Sequence, residues 1–100
     1  MNYQITATNG NVDVQLKGDI YVEESALIRE EMLQYIQDGH KNLRIDMSNV
    51  TFIDSSGLGV LVAIQKRAIQ NGGAVTIIGL KGSVLELFEL TRLNKVFAME

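Results

Sequence analysis

Two adjacent hydroxyls stand at Ser55 and Ser56, between an aspartate and a glycine pair, in the segment Phe52-Ile53-Asp54-Ser55-Ser56-Gly57-Leu58-Gly59-Val60-Leu61-Val62. A strand-like run over 42–47 precedes it, and apolar residues at helical spacing follow it. The serines therefore fall where a loop turns into a helix. A hydroxyl at a helix N-terminus lies among free backbone N–H donors and in positive potential. A phosphate attached there is well accommodated. These residue types in this order suggest a phosphorylatable serine switch, with Ser55 and Ser56 as its candidates, and not a catalytic centre.

Serine is also a preferred helix N-cap, so either hydroxyl could simply bond the first turn. Asp54 could do the same through an Asx turn. Three features point past capping alone. Three consecutive cap-capable residues exceed what one helix end requires. The positions three residues beyond the serines hold Leu58 and Gly59, not an acid or amide, so no capping box forms. Gly57 and Gly59 each lower helix propensity by roughly 1 kcal/mol against alanine, which suggests a close approach by another backbone or a ligand. The helix start is otherwise apolar, so it is either buried or a docking surface. Phosphate on Ser55 adds nearly two negative charges. The helix end tolerates them, whereas a partner docked over the loop is repelled, and Asp54 adds to that repulsion.

Other chemistry fits less well. His40 is the only histidine, at a helix end, and no other metal ligands converge on it in the sequence. Asp19, Asp46 and Asp54 match no calcium-loop spacing. A Ser55-His40-Asp46 triad lacks the Gly-x-Ser-x-Gly elbow and an oxyanion loop. The glycine-rich segment lacks the Lys-Ser or Lys-Thr ending of a phosphate-binding loop. There is no cysteine, which removes thiolate catalysis and thiolate metal sites. No metal and no cofactor is expected.

The elements that position the serines follow from periodicity. Residues 3–7 and 12–16 alternate around Asn9-Gly10-Asn11, which predicts a β-hairpin closed by Gly18-Asp19. Ile28, Met32, Tyr35 and Ile36 make a helical stripe over 23–38, ended by Gly39. A third strand covers 42–47. The second helix runs from Ser56 or Gly57 to Gln70, burying Leu58, Leu61, Val62, Ile64, Ala68 and Ile69. Asn71-Gly72-Gly73 ends it. The apolar run 74–78 suits a strand covered on both faces. Ser83-Val84-Leu85-Glu86 matches a capping box opening a third helix, which ends at Leu90 or Leu93, and Val96-Phe97 suits a short last strand. The order ββαβαβα(β) implies an α/β fold with a partly parallel sheet and helical crossovers.

One hundred residues are expected to form one domain, 1–100. Apolar content of 46% and charged content of 21% are globular values. A net charge of −3 argues against nucleic acid or an anionic membrane as partner, since both need a basic footprint. The first residues show no signal-peptide pattern, and no apolar run spans a membrane. A cytoplasmic location is expected.

The loop residues Ile53 to Val60 resemble the phosphorylation loop of the bacterial anti-sigma factor antagonists, which are single STAS domains. The resemblance extends over nearly the whole chain, through Gly18-Asp19-Ile20, Asp46 to Val50, Asn71-Gly72-Gly73 and the region from Leu80 to Leu93. It implies a small mixed β-sheet flanked by helices, and partner switching rather than enzymatic activity. The unphosphorylated protein would bind an anti-sigma factor that is also a GHKL-type serine kinase and thereby release a sigma factor. A PPM-type serine phosphatase would reverse the modification. The phosphoacceptor carried over is Ser55, with Asp54, Ser56, Gly57, Leu58 and Gly59 shaping the loop, and Ser56 acting as helix cap. Ile20 and Tyr21 are the implied rim residues. Relatives often carry aspartate where this chain has Tyr21, which bears on kinase specificity. Many relatives also have a further C-terminal helix; here apolar surface at Val96 and Phe97 is expected to favour weak homodimerisation. Two rival functions share the sequence: a STAS scaffold or transport-complex subunit making a constitutive contact through the same loop, and a small hydrolase using Ser55.

Overall fold

The computed structural model describes residues 3–100. Its elements are β1 (Tyr3–Thr8), β2 (Asn11–Ile20), α1 (Val22–Gln37), β3 (Asn42–Ile53), α2 (Ser55–Gln70), β4 (Ala74–Ile78), α3 (Gly82–Leu90), a 3-10 turn (Leu93–Lys95) and β5 (Ala98–Met99). The mixed α/β order is the one the periodicity predicts. The strands form one sheet in the order β1-β2-β3-β4-β5, with β1 antiparallel to β2 and every other pair parallel. The β1–β2 hairpin turns on Asn9 and Gly10, both in the left-handed region at φ 45° and 85°. That is the backbone a tight hairpin with the native twist requires.

The core lies on one face of the sheet. Val12, Val14 and Leu16 of β2, Leu43, Ile45 and Met47 of β3, and Val75 and Ile77 of β4 are buried there. Ile28, Met32 and Ile36 of α1 and Leu61, Ile64 and Ala68 of α2 complete it. The intervening Asp13, Gln15, Lys17 and Arg44 are exposed on the other face. β4 is therefore not covered on both sides as its apolar run suggests: Ala74, Thr76 and Ile78 are only half-buried. The strands are added in sequence order from β2 to β5. Right-handed crossovers that step always in one direction lay every connection on the same face.

Several element boundaries differ from those the sequence predicts. β2 does not end at Gly18-Asp19 but continues to Ile20, with register irregularities against β3 and Gly18 at φ 79°. β3 extends six residues past Met47, to Ile53. Its inward positions shift from Met47 to Val50 and Ile53, a spacing of three that the register shift creates and simple alternation misses. Ser83-Val84-Leu85-Glu86 is no capping box: α3 begins at Gly82, Lys81 occupies the cap position, and no side-chain cap bond forms. The last strand is Ala98–Met99, not Val96-Phe97. Phe97 is buried against Phe88, ring centroids 6.2 Å apart, so only Val96 of that pair is exposed. In α2, Ile69 points outward and Gln65 is buried in its place, because the inward stripe is 57/58, 61, 64/65 and 68.

Candidate functional site

The parallel strands β2 and β3 end side by side at Ile20 and Ile53, and the Asp54 N–H donates to the Ile20 carbonyl at 3.2 Å. This bond fixes where α2 starts. Asp54 is extended (φ −91°, ψ −179°) and is the N-cap of α2; its Oδ1 accepts the Gly57 N–H at 3.0 Å. The Leu58 N–H closes the first helical turn on the Asp54 carbonyl at 3.1 Å. Neither serine is the cap, and Ser56, expected in that role, is the second helical residue. An aspartate carboxylate is anionic, so it takes the cap in the positive end of the helix over two neutral hydroxyls.

Ser55 is then the first residue of α2, exposed, and its hydroxyl makes no hydrogen bond among the described residues. With Gly57 engaged by Asp54, the N–H groups of Ser55 and Ser56 remain the free donors of the helix end. No acid lies in the first turn of α2. A phosphate on Ser55 would meet free donors and the positive end of the dipole, with the Asp54 carboxylate next to it in the chain.

The glycines have different reasons. A Cβ on Gly57 would lie 2.5 Å from Ile53 Cγ1 and 3.3 Å from Ile20 Cγ2, so α2 sits directly on the strand ends. The close approach that the sequence suggests is made by the protein's own strands. Gly59 is exposed and a Cβ there would meet nothing within 4 Å. Leu58 is buried in the core, and Val60 is half-buried. Ile20, expected at the rim, is also core, beneath Gly57. The residues that reach the surface around Ser55 are thus Asp54, Ser56, Gly59 and Tyr21, while Ile20, Gly57 and Leu58 support them from below.

Tyr21 stands at the N-cap position of α1, its N–H held by Glu24 Oε2 at 3.2 Å. Its ring, 48% exposed, packs on Phe52, 45% exposed, with centroids 5.4 Å apart. Phe52 also lines an apolar groove of about 220 Å³ with Ile53, Val84, Leu87 and Leu90; Leu90 is 82% exposed. Sequence reasoning missed Phe52 and Leu90 as surface residues. The irregular register of β3 conceals which way Phe52 points, and an exposed leucine at a helix end carries no local signal.

His40 lies before β3, at the end opposite Ser55, with its Nδ1 3.2 Å from the Tyr35 carbonyl oxygen. Asp46 is spent on the Ser48 N–H at 2.9 Å, a bond that holds its carboxyl below the usual range. The hydrolase constellation of Ser55, His40 and Asp46 is therefore not assembled. Among the described residues no group of His, Asp and Glu side chains is placed to hold a metal, and no helix is long and apolar enough to cross a membrane.

Comparison with known proteins agrees with the fold. The STAS domain family model matches residues 2–100. The anti-sigma-B factor antagonist of Bacillus subtilis is 28% identical over 96 residues, covering 96% of this chain and 87% of its own length. That of Staphylococcus aureus is 29% identical over 94 residues, covering 94% and 87%. Among solved structures, a putative anti-sigma factor antagonist from Thermotoga maritima superposes with a TM-score of 0.88 at 21% identity, covering 97% of this chain and 84% of the other. The antagonist SpoIIAA of Bacillus superposes with a TM-score of 0.81 at 17% identity in its unphosphorylated form, covering 98% and 86%. Its phosphorylated form gives the same TM-score and identity, covering 98% and 90%.

Proposed function

The chain belongs to the STAS domain family, and from that premise we propose that it is an anti-sigma factor antagonist switched by phosphorylation of Ser55. Unmodified, it binds an anti-sigma factor that is also a GHKL-type serine kinase, and a sigma factor is released. Phosphorylated, it lets that partner go, and a PPM-type phosphatase restores it. It acts by binding and catalyses nothing itself.

One observation carries this reading: Asp54 takes the cap of α2 and leaves the Ser55 hydroxyl exposed and unbonded at the first helical residue. A serine needed for the fold would be engaged; this one is available to a kinase. The partner surface consists of Asp54, Ser55, Ser56 and Gly59, with Tyr21 and Phe52 as its aromatic margin. Phosphate adds nearly two charges at the centre of that surface, next to Asp54, and a docked partner is repelled. The fold is expected to persist because the new charge sits at a helix N-terminus. Tyr21 replaces a charge with a ring at the margin, so the partner is expected to offer an apolar contact there.

The test is phosphosite mapping on the protein isolated from its native host under several growth conditions, with Ser55→Ala as control. Phosphate on Ser55, absent from the control, is the expected result. A Ser55 that stays unmodified throughout would assign the loop to a constitutive contact, as in a scaffold or transport-complex subunit. Phosphate on Ser56 alone would move the site by one residue.

A further inference from the structure

β1 is the outer strand of the sheet, and its free edge lacks the devices that normally keep strand edges apart. Monomeric proteins blunt such edges with lysine, proline, a bulge or a covering element. Residues 3–8 carry no charge and no proline, and their register with β2 runs without a bulge from Tyr3↔Leu16 to Thr8↔Asn11. Among the described residues no backbone hydrogen bond from a loop or turn reaches this strand. Its inward side chains Tyr3, Ile5 and Ala7 are only half-buried, whereas Val12, Val14 and Leu16 beside them on β2 are fully covered. The Tyr3 hydroxyl donates to Glu31 of α1 at 2.6 Å, and Leu27, one turn before Glu31, is 46% exposed. The core is thus left open along this margin.

We propose that β1 is the interface of a weak symmetric homodimer, pairing antiparallel with β1 of a second copy so that the two sheets become continuous. The strand is complementary to itself. A two-fold axis at Ile5 sets Ile5 against its counterpart, Tyr3 against Ala7 and Gln4 against Thr6, large side chain to small and apolar face to apolar face. A shift by one residue would put apolar side chains on the wrong face, so the pattern fixes this register or one displaced by two. An antiparallel strand pair has the symmetry that an isologous contact requires. The strand is also neutral, so a chain of net charge −3 meets itself there without opposing like charges. A partner of another kind gains nothing from this self-matching. Six residues a side make a contact well below the roughly 1,600 Å² of a standard interface, so association is concentration-dependent. β1 pairs only with the Asn11–Leu16 part of β2, away from Ile20 and Asp54. Both Ser55 loops stay open in the dimer, which presents two switch sites at once. This inference does not depend on whether Ser55 is phosphorylated.

Sedimentation analysis from micromolar to millimolar protein tests it, with Gln4→Lys/Thr6→Lys as the variant. Both side chains are exposed, and the substitutions set lysines opposite each other across the axis. The parent should show a monomer–dimer equilibrium, and the variant should stay monomeric with an unchanged melting curve. A parent that is monomeric at millimolar concentration overturns the proposal. So does a dimer that survives the lysines, or one lost only on Leu90→Glu, which would place the contact at the α3 groove. Should the variant fail to fold, hydrogen exchange on the parent replaces it. Protection of residues 3–8 that rises with concentration supports the pairing, and concentration-independent exchange refutes it.

Discussion

Asp54 determines what Ser55 is free to do. By satisfying the Gly57 N–H it removes the structural demand on the serine and leaves its hydroxyl to solvent. The two glycines beyond it look alike in the sequence and differ in space. Gly57→Ala drives a methyl into Ile53 and Ile20, and is expected to cost about 1–2 kcal/mol after the gain in helix propensity. Gly59→Ala meets open space and should stabilise the domain by about 1 kcal/mol. Denaturant melts of the two variants should therefore move in opposite directions; a shared direction would refute the close packing of α2 on the strand ends. Tyr3 offers a second check. Its hydrogen bond to Glu31, with burial and the Glu31 charge behind it, pushes its pKa up to about 12. The fold favours the neutral phenol, so this stabilisation is complete below pH 10 and is lost as pH rises toward 12. Glu31→Gln should bring the Tyr3 step in the tyrosinate absorbance titration back toward its ordinary value, and an unchanged titration would contradict the contact.

At the scale of elements, clean periodicity was readable and disturbed periodicity was not. The hairpin, α1 and the extent of α2 follow from alternation, a helical stripe and a glycine-marked end. The second half of β3 was hidden, because the irregular register carries Ser48 and Asn49 through a strand that alternation would end at Met47. The apparent capping box at Ser83 fails because the helix begins at Gly82, two residues before the Val84 start that the box implies, leaving Ser83 in its first turn rather than before it. Gln65 was missed altogether. It is buried on α2, accepting from the Val75 N–H at 2.8 Å and donating to the Val96 carbonyl at 2.7 Å, and so joins β4 to the segment before β5. A lone glutamine between Ile64 and Lys66 gives no sign of this. Gln65→Leu should leave the buried Val75 N–H without a partner, free the part-buried Val96 carbonyl, and cost about 1–3 kcal/mol. Faster amide exchange at Val75 in that variant is the specific sign; a stability equal to the parent's would show the bridge to be idle.

For the whole molecule, element order and a mixed sheet were legible, and the placement of the serines at a strand-to-helix junction followed directly. Which face the helices cover was not, because the run 74–78 is apolar on both sides while the crossovers cover only one. The resulting platform holds the Ser55 loop at the joined ends of β2 and β3, with core beneath it and an aromatic margin beside it. Such a site can change its charge without changing its support. Binding and folding are then separable in one comparison. The deciding measurement is the affinity of the unmodified and Ser55-phosphorylated chains for the anti-sigma factor kinase of the native host, with both melting curves recorded alongside. The predicted result is binding weakened by about a hundredfold or more on phosphorylation, equivalent to about 3 kcal/mol, with both forms melting as intact domains. Equal affinity of the two forms, or loss of binding that coincides with unfolding, would contradict it.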